Sequence, residues 1–323
     1  MKTQQTHDYK GLGFGVSAFT LFSFMPIYVQ QLKPLSGYTL LNQRILWSTL
    51  LILASLVLIK KLSFYLTPMR QLKAWPGLIA GSLLVGLQWG LFVWAPLNQH
   101  TLDLSLGYFL VPLVMVFIGK VFLKEKLRPL QWLAMLCAGA GVVMAFWKVN
   151  GLSWVVVLVA SGYPLYLVLR RKQVLPTVSA FLIENLILLP PALIGILMFG
   201  GLEGESLNHP FEYSFPWLLL FLGLAIMGSV PMLCFIAANN RLNMITLGLL
   251  SYLEPALIFV VAYVFLDETL KADDLFIYGP IIFGLGILAI DGGRQIVRES
   301  MLIKTAKNDP TKSTKFIAKP PFL

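Results

Sequence analysis

Three ionisable side chains, Arg44, Glu184 and Glu254, stand inside stretches that are otherwise apolar, and Glu254 directly precedes a proline in "LLSYLEPALIFVVAYVFL" at residues 249 to 266. A charge at the centre of a bilayer costs about 2.5–3.5 kcal/mol even on insertion scales, so such groups face a protein interior or a water-filled cavity and mark paths for substrates, ions or protons. At about 1.5 Å per helical residue, Arg44 lies about 7–8 Å below the outer surface, Glu184 about 10 Å from the inner one, and Glu254 about 14 Å in, near the midplane. Depth therefore favours Arg44 with Glu254 over Arg44 with Glu184, with water or a substrate carboxylate closing the remaining gap. Arg44 offers a planar fork that binds a carboxylate bidentately. Glu254 is a candidate for proton coupling, because a carboxylate that changes partners during a cycle can take up and release a proton.

Each of these residues has a plainer role to weigh against the functional one. Arg44 could snorkel to the outer headgroups. Glu184 could be satisfied by Asn185 or by backbone freed near Pro190 and Pro191. Glu254 could be a structural acid beside the Pro255 kink. Gln88, Trp89 and Trp94, with Tyr108 and Tyr252, stand in matched segments near these charges and are candidates to line a cavity, although aromatics in such segments more often pack or anchor. Gly77, Gly81, Gly86 and Gly90 are spaced for close helix approach.

Catalytic patterns are absent: there is no phosphate-binding loop and no G-x-S-x-G elbow, and His7, His100 and His209 lack metal-ligand spacing. No cofactor and no metal is expected. An integral-membrane enzyme acting on lipid, the main alternative, should show a cluster of His, Asp and Glu at one membrane face. A lipid flippase is a third reading.

The elements that must position these side chains are transmembrane helices. The 323 residues are 57% hydrophobic and 12% charged, with mean hydropathy +0.77, which is too apolar for an ordinary soluble protein. Ten spans are predicted, at 10 to 32, 39 to 60, 72 to 97, 101 to 123, 129 to 147, 151 to 170, 177 to 199, 215 to 239, 245 to 266 and 273 to 294. The net charge of +10 follows topology and does not point to nucleic acid. With the N-terminus inside, all but four of the 25 Lys and Arg fall on the inner side, leaving Lys33, Lys148 and Lys271 outside and Arg44 within a span. The loop "GGLEGESLNHPFEYS", which carries three glutamates and no Lys or Arg, is predicted outside. The tail at 295–323 is basic, lacks the apolar pattern and is predicted to be a disordered cytoplasmic segment.

Sliding the sequence against itself by 143 positions places Pro112 on Pro255, Glu125 on Glu268, Phe92 on Phe235 and Ala95 on Ala238. The fold expected is all-α and integral to the membrane, with ten helices as two five-helix repeats, 1–148 and 149–294. An odd number of spans inverts the second repeat, which is the arrangement of alternating-access carriers. Pro112 and Pro255 are expected to kink their helices as hinges.

This organisation resembles the EamA family of the drug/metabolite transporter superfamily. The segments "RILWS" at 44 to 48, "WGLFVWA" at 89 to 95, "SLGYFLVPL" at 105 to 113 and "VPMLCF" at 230 to 235 resemble its RarD branch of chloramphenicol-sensitivity permeases. The resemblance implies a permease fold; with the positive-inside pattern, which puts both termini in the cytoplasm, the expected protein is a multi-pass permease of the bacterial inner membrane exporting a small amphipathic metabolite or drug, with a homo-oligomer left open. This chain has Gln43 where the branch commonly has His, Gln88 where it has Asn, and Glu254 where it has a small residue.

Overall fold

In the computed structural model the described residues are 9–32, 35–146, 153–173, 175–199, 215–265, 276–292 and 294. The loop at 200–214, predicted outside, Glu268 and the tail at 295–323 lie outside the described residues. Among the described residues there are helices and connecting turns and no strands. Hydrocarbon offers no hydrogen bonds, so an open spanning segment must satisfy its backbone internally, which a helix alone does.

The helices are α1 (Tyr9–Ser23), α2 (Met25–Gln30), α3 (Gly37–Leu58), α4 (Leu62–Leu66), α5 (Trp75–Leu97), α6 (Thr101–Val121), α7 (Pro129–Phe146), α8 (Trp154–Lys172), α9 (Thr177–Phe199), α10 (Phe215–Asn239), α11 (Met244–Ser251) and α12 (Leu253–Phe265), followed by α13 (Phe276–Gly292). Among the described residues nine segments are long and apolar enough to cross a membrane, with α1 and α2 forming one and α11 and α12 another. The tenth expected span is represented by the shorter α13. Several starts are capped as helix chemistry requires: Ser36 Oγ accepts from the Thr39 amide at 3.2 Å, and Asn243 Oδ1 from the Thr246 amide at 2.7 Å.

Proline acts unequally. α6 runs unbroken through Pro112, whereas Pro255 sits in the first turn of α12, just after the break at Tyr252. The ring of Pro255 faces the carbonyl four residues back, that of Ser251, where α11 ends. Pro26 likewise accompanies the break at Phe24 between α1 and α2.

The contacts are symmetric. α1 packs on α10 as α8 packs on α5; α6 packs on α8 as α12 packs on α1; α10 packs on α3 as α5 packs on α9. α3 with α9, and α6 with α11, join the two halves directly. Close to that junction the Tyr252 hydroxyl donates to the Phe109 carbonyl at 3.4 Å, and these residues are themselves 143 positions apart. The first helix of each half is thus seated on the other half.

Small residues allow these approaches. A Cβ on Gly248 would stand 2.7 Å from Met115 Cβ, and one on Gly107 would stand 2.6 Å from Val159 Cβ. Leu58, Phe122, Phe117, Leu136 and Phe215 are exposed on the outside of the bundle, as a lipid-facing surface requires.

Candidate functional site

Arg44 leaves α3 towards the inside of the bundle. Its Cζ stands 4.2 Å from the centroid of the Trp89 ring on α5, a cation–π contact worth about 2 kcal/mol when desolvated. Its stem also lies against Gly228 of α10, where a Cβ would come within 2.6 Å of Nε and 3.2 Å of Cγ. Arg44 is therefore in contact with both an indole and a bare stretch of backbone.

Two tyrosines complete the surroundings. Tyr108 of α6 and Tyr163 of α8 have ring centroids 6.4 Å apart, and both lie within electrostatic reach of Arg44. The Trp89 indole interacts with the Tyr163 hydroxyl. Glu254, in the first turn of α12, lies within electrostatic reach of the same two tyrosines. Among the described residues no ion pair joins Arg44 to either Glu254 or Glu184. Arg44, Tyr108, Tyr163 and Glu254 are each surrounded by protein and still keep accessible surface. These four partly exposed side chains, with Trp89, make up the candidate cleft.

The other sequence candidates are placed elsewhere. Gln88 is fully buried; its Nε2 donates to the Leu158 carbonyl at 3.0 Å and rests on Gly162, clamping α5 to α8. Tyr252 is buried in a cluster with Phe109, Ile277 and Ile281. Trp94 stacks on His100 at 5.5 Å and meets Trp154 at 5.2 Å, near the start of α6. Of the three departures from the branch, Glu254 alone is in the cleft: Gln43 is buried and accepts from the Trp47 indole at 3.2 Å.

Glu184 forms a separate site. Its Oε1 is 3.5 Å from Arg170 Nε, with both side chains 1% exposed, and its Oε2 accepts from the Tyr166 hydroxyl at 2.9 Å. Arg170 also donates to Gln173 Oε1 at 2.9 Å. Arg170, counted from sequence among the inner-surface cations, is thus a buried counter-ion; Glu184 has it as an ionic neighbour and Tyr166, not Asn185, as its hydrogen-bond donor. The glycines of α5 serve this pair: Gly81 faces Glu184, Gly77 faces Gln173, and Gly86 meets Leu188, whereas Gly90 faces open space instead of a helix.

Sequence reasoning missed Tyr163 and Gly228. Tyr163 precedes Pro164 in a span, the same context that singled out Glu254, so a signal existed. Gly228 carried none. Gly228→Ala is expected to push the guanidinium off Trp89 and to weaken ligand binding about tenfold, equivalent to about 1.4 kcal/mol, with the unfolding temperature little changed. Titration of purified protein with a binding compound checks both.

Comparison with known proteins now places this architecture. No family model matches the chain. It is 36% identical over 298 residues to the chloramphenicol-sensitive protein RarD of Pseudomonas aeruginosa, covering 90% of this chain and 97% of that protein. It is 32% identical over 289 residues to an uncharacterized transporter of the same organism, covering 90% and 96%, and 30% identical over 291 residues to the protein RarD of Escherichia coli, covering 90% and 97%. A crystal structure matches with a TM-score of 0.64 at 18% identity, covering 87% of this chain and 98% of that one, and so shares its fold. The helical bundle and these relatives define a bacterial multi-pass membrane transporter. The chain belongs to the RarD family.

Proposed function

We propose that the protein is a secondary carrier moving a small amphipathic organic compound across the inner membrane by alternating access, with Arg44, Trp89, Tyr108, Tyr163 and Glu254 as its binding and coupling residues. One observation carries this reading: an arginine and a glutamate share a pair of tyrosines within the bundle without pairing with each other. Unpaired charges at this depth are costly, and a ligand or a proton that completes them supplies a reason to keep them. Arg44 would take a carboxylate or another oxygen-rich head of the substrate. Trp89 and the tyrosines would pack an aromatic or apolar body, as ligand sites commonly do.

Alternating access follows from reading 1–148 and 149–294 as inverted repeats around this cleft, with Pro112 and Pro255 at equivalent places in the two central segments. The break at Pro255 puts Glu254 on a short helix start, where a modest shift of α12 would change its surroundings. Both termini are assigned to the cytoplasm, and the acidic loop at 200–214 to the outside.

The test begins with a metabolite panel screened for thermal stabilisation; chloramphenicol is its first compound, because one relative is named for sensitivity to it. A stabilising compound is then followed in proteoliposomes with an imposed pH gradient. Glu254→Gln keeps size and hydrogen bonding but cannot titrate, so substrate exchange should persist while gradient-driven accumulation is lost. Undiminished accumulation would place coupling elsewhere.

A further inference from the structure

We propose that Glu125 and Arg171 form a lock that holds the basic face of the bundle closed, and that it must open for the cleft to reach that face. This rests on the carrier reading above. Glu125 follows α6 in a turn where Lys124 adopts φ 54°, a left-handed conformation unfavourable for a residue with a Cβ. That turn aims the carboxylate at the start of α11. Oε1 accepts from the Met244 amide at 2.8 Å and Oε2 from the Ile245 amide at 2.9 Å, so both oxygens meet unsatisfied amides at a helix N-terminus.

Arg171 of α8 extends the connection. Its Nη1 reaches Glu125 Oε1 at 3.4 Å, Nη2 donates to the Leu242 carbonyl at 2.8 Å, and Nε donates to Asn239 Oδ1 at 2.8 Å. Asn239 in turn donates to the Leu167 carbonyl at 3.2 Å. Gly119 leaves room for the carboxylate, since a Cβ there would stand 2.9 Å from Glu125 Oε2.

The elements joined are the ones that carry the cleft. α6 bears Tyr108, α8 bears Tyr163, α10 bears Gly228, and α11 leads into α12 with Glu254. The nearby Arg128–Asp291 pair, at 2.5 Å, ties α7 to α13, neither of which contributes to the cleft. Glu125 and Arg171 are only partly exposed, at 14% and 20%, so water can replace their bonds when the helix ends separate. Apolar packing at the same place would have no such substitute, which suits a contact that must break and re-form.

The test needs no substrate. In a background lacking Cys137 and Cys234, a single reporter, Tyr108→Cys, is labelled with an impermeant maleimide from each face, using right-side-out and inside-out vesicles. Glu125→Gln should raise the labelling rate from the basic face at least fivefold and lower it from the opposite face. Arg171→Gln leaves the α11 cap in place and should shift labelling in the same direction by a smaller factor. If Glu125→Gln only lowers the unfolding temperature while sidedness stays unchanged, Glu125 is a helix cap and no lock. If Glu125→Gln fails to fold, unchanged sidedness in Arg171→Gln overturns the proposal equally. A reporter labelled from neither face in any variant would instead remove the cleft from the transport path, and the lock with it.

Discussion

Arg44→Lys is expected to lower transport at least tenfold while leaving insertion and folding intact. The change keeps the charge but removes the planar surface that lies over Trp89 at 4.2 Å, and it replaces five fixed donors with three on a rotating point charge. A lysine ammonium can also lie over an indole, so only part of a contact worth about 0.5–2 kcal/mol goes with the change, and the larger loss is the fork that would hold an oxygen-rich head of the substrate. Trp89→Leu should act in the same direction, and the double variant should lose less than the sum, because both changes act on the same contact. Initial transport rates, normalised to protein in the membrane and accompanied by unfolding temperatures, provide the check. Full transport by the lysine variant would make Arg44 a structural cation.

Arg170→Met should instead act on stability. It leaves Glu184 buried with Tyr166 as its remaining hydrogen-bond donor, and breaking a buried pair from one side costs about 3–5 kcal/mol. Adding Glu184→Leu removes the stranded charge, and the double variant should recover most of the loss, since well-packed apolar replacements of buried pairs are often neutral or better. Thermal unfolding in detergent reads both variants. A single variant that unfolds normally but fails to transport would move this pair from scaffold to mechanism.

The spans were legible in the amino-acid sequence because the bilayer is a strict solvent: about 20 apolar residues must close their own hydrogen bonds, whatever their neighbours are. The pairing of segments at an offset of 143 was legible for a related reason, since Pro112 and Pro255 or Phe92 and Phe235 recur in place. Arg44, Trp89, Tyr108 and Glu254 were candidates from sequence, the charges because they are costly in lipid and the rings because they stand in matched segments near those charges, and the structure groups the four. Azimuth was not legible. These helices are apolar nearly all round, so no stripe states which side faces the interior, and orientation is decided by where glycines let neighbours approach. That is why Gln88 and Tyr252 turned into helix contacts while Tyr163 and Gly228 joined the cleft. Partner choice was hidden as well: Arg170 reads as an inner-surface cation by its place in "LRRK", and only the packing of α8 on α5 and its side-chain contacts with Glu184 of α9 show it as a buried partner. Depth along a helix is set by the chain and its solvent, whereas facing and pairing are set by other helices, which no single segment encodes.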